Sequence, residues 1–116
     1  MAETTRTSNT AATFGLPATT LARLRALLAQ HAAVQRAIIY GSRAKGNYRP
    51  GSDIDLTLDA PDLPFAEFLR IEQDIDDLLL PYQVDLSRLA DIEPGPLREH
   101  IDRVGQIFWA RAQQAS

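Results

Sequence analysis

Residues Asp53, Ile54, Asp55, Leu56, Thr57 and Leu58 alternate polar and apolar without a break, directly after Arg49-Pro50-Gly51-Ser52. A period of two is that of a half-buried strand. The Pro-Gly turn in front means that the strand begins with its carboxylates and does not end on them. Asp53 and Asp55 leave the same face of the sheet. Two like charges so close raise each other's pKa and cost stability unless a cation neutralises them. The chain is therefore expected to build a sheet with one apolar face against helices and one face that carries charge.

The remaining pattern supplies the other layers. Leu21, Leu24, Leu27 and Leu28 recur at helical spacing after Pro17. Val34 to Tyr40 reads as a short buried strand ending at Gly41, and a helical turn is expected near Ser42 to Lys45. Phe65, Phe68, Leu69, Ile75 and Leu79 form the apolar face of a helix that starts at Pro64 and closes at Pro81. Tyr82 to Leu86 is expected as a third strand, Pro96 to Val104 as a short helix, and Gln106 to Trp109 as a last strand. Residues 1–15 are small and polar and are expected to be a disordered leader, with residues 16–116 forming one domain. The order predicts one small α/β (α+β) layer, a mixed sheet flanked by helices.

Composition narrows the chemistry. With 116 residues and no Cys, a disulfide framework, a thiolate zinc site and a Cys nucleophile are excluded, which suits a reducing cytoplasm. No apolar run approaches a membrane span or a secretory h-region, so no membrane role is expected. The length leaves no room for a second, substrate-holding domain. The net charge of −3 hides a segregation: residues 4–52 carry +7 with no acid, residues 53–116 carry −9, and the sign flips between Arg49 and Asp53. The basic loop is short and has only Tyr48 as an aromatic, so direct nucleic-acid binding is not expected.

Asp85 stands in the same alternation on the third strand, between Val84 and Leu86. If the two strands are neighbours, it joins Asp53 and Asp55. Hard carboxylate oxygens suit Mg²⁺, which is bound by one or two carboxylates plus substrate phosphates. Three carboxylates are able to hold the paired metals used for in-line attack on phosphorus. Upstream, Gly41 lets backbone approach a phosphate, Ser42 adds a hydroxyl, and Arg43 and Lys45 add charge. Those parts suit a nucleoside triphosphate with Mg²⁺. Ser52 is read as capping the start of the strand, with phosphate contact as a second candidate role. Arg49 either reaches a phosphate or is a solvated loop residue, and Asp59 starts the next turn.

Several competing readings fail or remain structural. Asp53 to Thr57 spells D-x-D-x-T, as in haloacid-dehalogenase-type phosphatases, but that chemistry needs an apolar strand leading into the first Asp, and a turn stands there. No P-loop string is present. His31 and His100 share no ligand spacing with each other or with the carboxylates, and both are read as surface or helix-end residues. Asp74, Asp76 and Asp77 are read as a solvated helix face, and Phe108 and Trp109 as core or interface.

Gly41-Ser42, ten residues, then Asp53-Ile54-Asp55 resembles the Gly-Ser plus Asp-x-Asp signature of the DNA-polymerase-β-like nucleotidyltransferase superfamily. The full string GSRAKGNYRPGSDIDL is similar to that of its minimal nucleotidyltransferases, and the likeness runs from about Leu21 to Trp109. The resemblance implies a mixed sheet flanked by helices and Mg²⁺-dependent transfer of a nucleoside monophosphate. It places Gly41 and Ser42 on the triphosphate, Asp53 and Asp55 on the metals, and Asp85 on the catalytic metal and the acceptor hydroxyl. Arg43 matches the family's basic residue after Gly-Ser, and Lys45 stands where relatives often have Arg, keeping charge without the bidentate fork. It further implies a partner: such proteins pair as antitoxins with HEPN-domain toxins and transfer AMP from ATP to a tyrosine hydroxyl. Two alternatives stay open, a module that neutralises its partner by contact alone and transfer to a small-molecule hydroxyl.

Overall fold

The computed structural model describes residues 13–112. Four strands, β1 (Arg36–Tyr40), β2 (Ile54–Asp59), β3 (Val84–Arg88) and β4 (Gln106–Ala110), form one sheet in the order β3-β2-β1-β4. Among the described residues four helices, α1 (Ala18–Ala29), α2 (Ser42–Lys45), α3 (Phe65–Asp76) and α4 (Pro96–Val104), precede and connect the strands, with a 3₁₀ turn at Leu89–Asp91. β1 runs antiparallel to both β2 and β4, while β2 and β3 are parallel and joined through α3. The sheet is mixed, and the fold is α+β.

Register decides which side chains share a face. Ile39 pairs with Leu56, Ala37 with Leu58, and Leu56 with Leu86, so these residues line one face. They pack with Leu24 and Leu28 of α1, Phe68, Ile71 and Ile75 of α3, and Phe108 in a single core. Phe108 is the extra residue of a β-bulge between the Ala37–Trp109 and Ile38–Ile107 pairs, and it is almost fully buried. His31, just past α1, contacts Glu67 at 2.9 Å and Asp74 at 3.4 Å, tying that end of α1 to α3. Asp74 is thus more than a solvated charge.

Two sequence expectations shift. Phe14 was placed in a leader over residues 1–15, yet it is buried against the core, its ring 6.0 Å from that of Phe108. The ordered core therefore begins earlier, since an aromatic has large area to bury; residues 1–12 lie outside the described ones. The apolar face of α3 is also rotated from the expected one. Phe68, Ile71 and Ile75 are buried, whereas Phe65, Leu69 and Leu79 are exposed. Leu79 lies beyond the helix end, at φ 55°, where helical periodicity no longer applies. No helix of the described residues is long and apolar enough to cross a membrane.

Candidate active site

The opposite face of the sheet carries the polar half of each alternation. Asp55 is paired with Asp85 across the parallel β2–β3 ladder and with Tyr40 across β1. Thr57 is next along β2, opposite Ser87, whose hydroxyl donates to Thr57 Oγ1 at 2.9 Å. The two carboxylates expected to meet are therefore neighbours in register, and Asp53 stands just ahead of β2. Asp85 is exposed and Asp55 half-buried. Asp59 stays within β2 and does not start the turn. It accepts from Arg36 at 2.8 Å, which occupies its carboxylate far from Asp55.

Electrostatics report the crowding. Burial pushes the Asp55 carboxyl above its ordinary value, and the charges of Asp85 and then Asp53 push the same way, with His100 opposing them. The Tyr40 phenol is also pushed up, by burial first, with Asp85 and Asp55 adding to it and a Ser87 hydrogen bond acting against it. Among the described residues no three His, Asp or Glu side chains stand together as a ready-made metal cage. The donor set nevertheless fits a hard divalent ion: three oxygen ligands, two of them in register, whose mutual repulsion is what a cation relieves. Asp53, Asp55 and Asp85 are the residues that could hold it.

Gly41 closes β1 beside this cluster. Its backbone sits at φ 75°, ψ −156°, a region open essentially to Gly alone. A Cβ there would collide with Asp55 Oδ2, so the glycine also makes room for the carboxylate. Ser42 opens α2, a single helical turn that ends at the left-handed Gly46. Lys45, in that turn, is exposed and has no ion pair among the described residues.

The structure corrects the role expected for Arg43. The side chain is 2% exposed and is not available to a triphosphate. Nε donates to Ser52 O at 3.1 Å, Nη1 to Phe14 O at 2.9 Å, and Nη2 to Pro50 O and Ser52 O at 3.2 and 3.0 Å. The guanidinium also lies 5.0 Å from the Tyr48 ring centre and 5.1 Å from that of Tyr82. Its forked donors are consumed in fastening the loop, which a lysine could not do. Ser52 makes the local backbone bond expected for it: its hydroxyl oxygen accepts from Arg49 N at 2.8 Å, and its carbonyl is held by Arg43. The Arg43 side chain is thus not left as a phosphate ligand, whereas the Ser52 O–H keeps a donor.

His100 was read as a surface or helix-end residue, and the fold brings it into the site. α4 folds back over the sheet so that Gly41 N donates to His100 Nε2 at 3.3 Å, with the ring edge-on to Tyr40 at 6.1 Å. Nothing in the spacing marks this, because the pair is 59 residues apart.

Comparison with known proteins identifies the family and the fold. Residues 22–114 match the family model described as "Polymerase beta, Nucleotidyltransferase". A comparison with curated proteins finds no match. Among solved structures, a chain of a toxin–antitoxin complex with AMP-PNP superposes with a TM-score of 0.63 at 24% identity, over 78% of this chain and 73% of that one. A chain of the tri-AMPylated Shewanella oneidensis HEPN toxin in complex with MNT antitoxin gives 0.59 at 21% identity, over 80% and 71%. A chain of the toxin–antitoxin MntA-HepT gives 0.59 at 21%, over 82% and 74%. At these identities the likeness is one of fold. The family match spans most of the sequence, so the chain belongs to the polymerase beta nucleotidyltransferase family and is a nucleotidyltransferase.

Proposed function

We propose that this protein transfers AMP from ATP to a hydroxyl, that of a tyrosine, on a HEPN-type toxin, and acts as the antitoxin of that pair in the cytoplasm. The observation that carries the reading is the in-register placement of Asp55 and Asp85 beside Gly41. Support for the partner comes from structural neighbours that are toxin–antitoxin complexes, one of them with a tri-AMPylated HEPN toxin.

Asp53, Asp55 and Asp85 would hold Mg²⁺. When bound, the ion would neutralise charge developing on the phosphates. The Gly41–Ser42 turn would receive the triphosphate through its amide and hydroxyl, with Lys45 adding positive charge. The acceptor oxygen attacks the α-phosphorus, the bond to the β-phosphate breaks, and pyrophosphate leaves. Asp85, exposed beside the half-buried Asp55, would take the proton from the incoming hydroxyl. The open face asks the acceptor to supply the missing wall, and a folded protein can do so.

The test is incubation with the HEPN protein, Mg²⁺ and ATP labelled at either the α- or the γ-phosphate. The α-label is expected on the HEPN protein and the γ-label in released pyrophosphate, and Asp55→Ala should abolish both. No α-label with the wild-type chain overturns the reading. Neutralisation that survives in Asp55→Ala would show that contact alone suffices, and label on free small acceptors would move the substrate class.

A further inference from the structure

We infer that His100 is a nucleotide-contacting residue, whose imidazole lies over the Gly41 amide and donates to the triphosphate when nucleotide binds. The inference rests on the proposed nucleotide site and adds a ligand from a different part of the chain. Gly41 N is the donor that a phosphate oxygen would use, and in the free protein His100 Nε2 accepts from it. The imidazole therefore stands where an anionic oxygen is expected.

The contact has the character of a place-holder. At 3.3 Å it is long for an N–H donor, and among the described residues it is the ring's one polar bond. The ring is only half-buried and rests edge-on against Tyr40. A phosphate oxygen is the better acceptor because its bond to the amide is charge-assisted and shorter. Once it takes the Gly41 amide, Nε2 has lost its donor and faces an acceptor. The neutral ring answers by exchanging tautomers, with the proton carried from Nδ1 to Nε2 through solvent. The proton count is unchanged, and Nε2–H then points to the phosphate.

The experiment is calorimetric titration of AMP-PNP with Mg²⁺ into the wild-type chain, His100→Ala and His100→Gln, each first shown by circular dichroism to unfold cooperatively. Gln carries an N–H donor near the position of Nε2. His100→Ala is expected to bind about tenfold more weakly, the size of one hydrogen bond to a charged group. His100→Gln should stay within about twofold of wild type, because the donor is restored. Affinity in His100→Ala equal to or tighter than wild type overturns the inference, since the ring would then only plug the amide. Equal weakening in both variants also overturns it, because packing on Tyr40 would be the cause. A wild-type chain that binds no nucleotide sinks the proposed function itself, an outcome that the variants cannot produce.

Discussion

The two walls of the site are built in opposite ways. The loop from Gly41 to Ser52 is fastened by a buried guanidinium that reaches three carbonyl groups and stacks on two tyrosines. The facing wall, β3 and α4, is fastened by partly exposed arginines, Arg88 to Leu63 O and Asp91, and Arg98 to Leu89 O and Ile92 O, and none of these bonds reaches Asp85 or His100. β3 is an edge strand with no fully buried residue, Asp85 is exposed, and His100 is held by one long bond. Preorganised donors lower the cost of orienting a bound group, so the fastened loop suits the nucleotide, which must be held in one pose. An open edge strand with free backbone groups suits an incoming macromolecule. On the proposed function, the contrast would give the donor substrate to one wall and the acceptor to the other.

The largest expected effect is on the fastened wall. Arg43→Met leaves the carbonyls of Phe14, Pro50 and Ser52 short of their donors, and buried unsatisfied acceptors cost ~1–3 kcal/mol each. Water reaches some of them, so a total loss of about 3 kcal/mol is expected, read by urea unfolding. Arg43→Lys should recover little of it, because an ammonium has no fork. A loss below about 1 kcal/mol for Arg43→Met would break the comparison, since both walls would then be equally loose.

A second test concerns the charge that the walls share. The Asp55 carboxyl is raised by burial first, then by the charges of Asp85 and Asp53, while His100 acts the other way. A raised carboxyl binds more protons in the folded state than in the unfolded state. Stability of the metal-free protein is therefore fully kept below the ordinary aspartate range and falls as pH rises through the elevated native value. Asp55→Asn should flatten this slope and make the metal-free protein more stable than wild type at neutral pH. Thermal unfolding in EDTA across that pH range checks it, and an unchanged slope would show that the carboxylates do not strain the apo site.

How far the site was legible in the sequence follows the same division. Asp53, Asp55 and Gly41 were readable because strand alternation and a turn are local signals. Asp85 was readable on its own strand, but its meeting with Asp55 required the parallel β2–β3 pairing, which no local pattern states. Arg43 was misread for a physical reason. Its charge suggested a phosphate, whereas the carbonyls that consume it come from residues 14, 50 and 52, brought round it only by folding. His100 was missed because a helix 59 residues downstream delivers it. The same holds for the N-terminal boundary: Phe14 stands in a polar stretch of sequence, and the residues that hold it, Phe108 and Arg43, are brought to it only by folding.

The smallest change in stability is expected at Asp85, and there the comparison is sharpest. The residue is exposed on an edge strand and makes no ion pair among the described residues, so Asp85→Asn should alter unfolding by less than about 0.5 kcal/mol. Its removal also relieves Asp55 of a repelling charge, which acts toward stabilisation. Transfer should nonetheless fall by about a hundredfold or more, the contribution usual for a positioned general base. Nucleotide binding through the Gly41 wall should be less affected than transfer. Paired measurements of unfolding, AMP-PNP affinity and transfer rate on this one variant decide the matter. A loss of stability as large as that of Arg43→Met would make the open wall structural, and an unchanged rate would remove Asp85 from the chemistry.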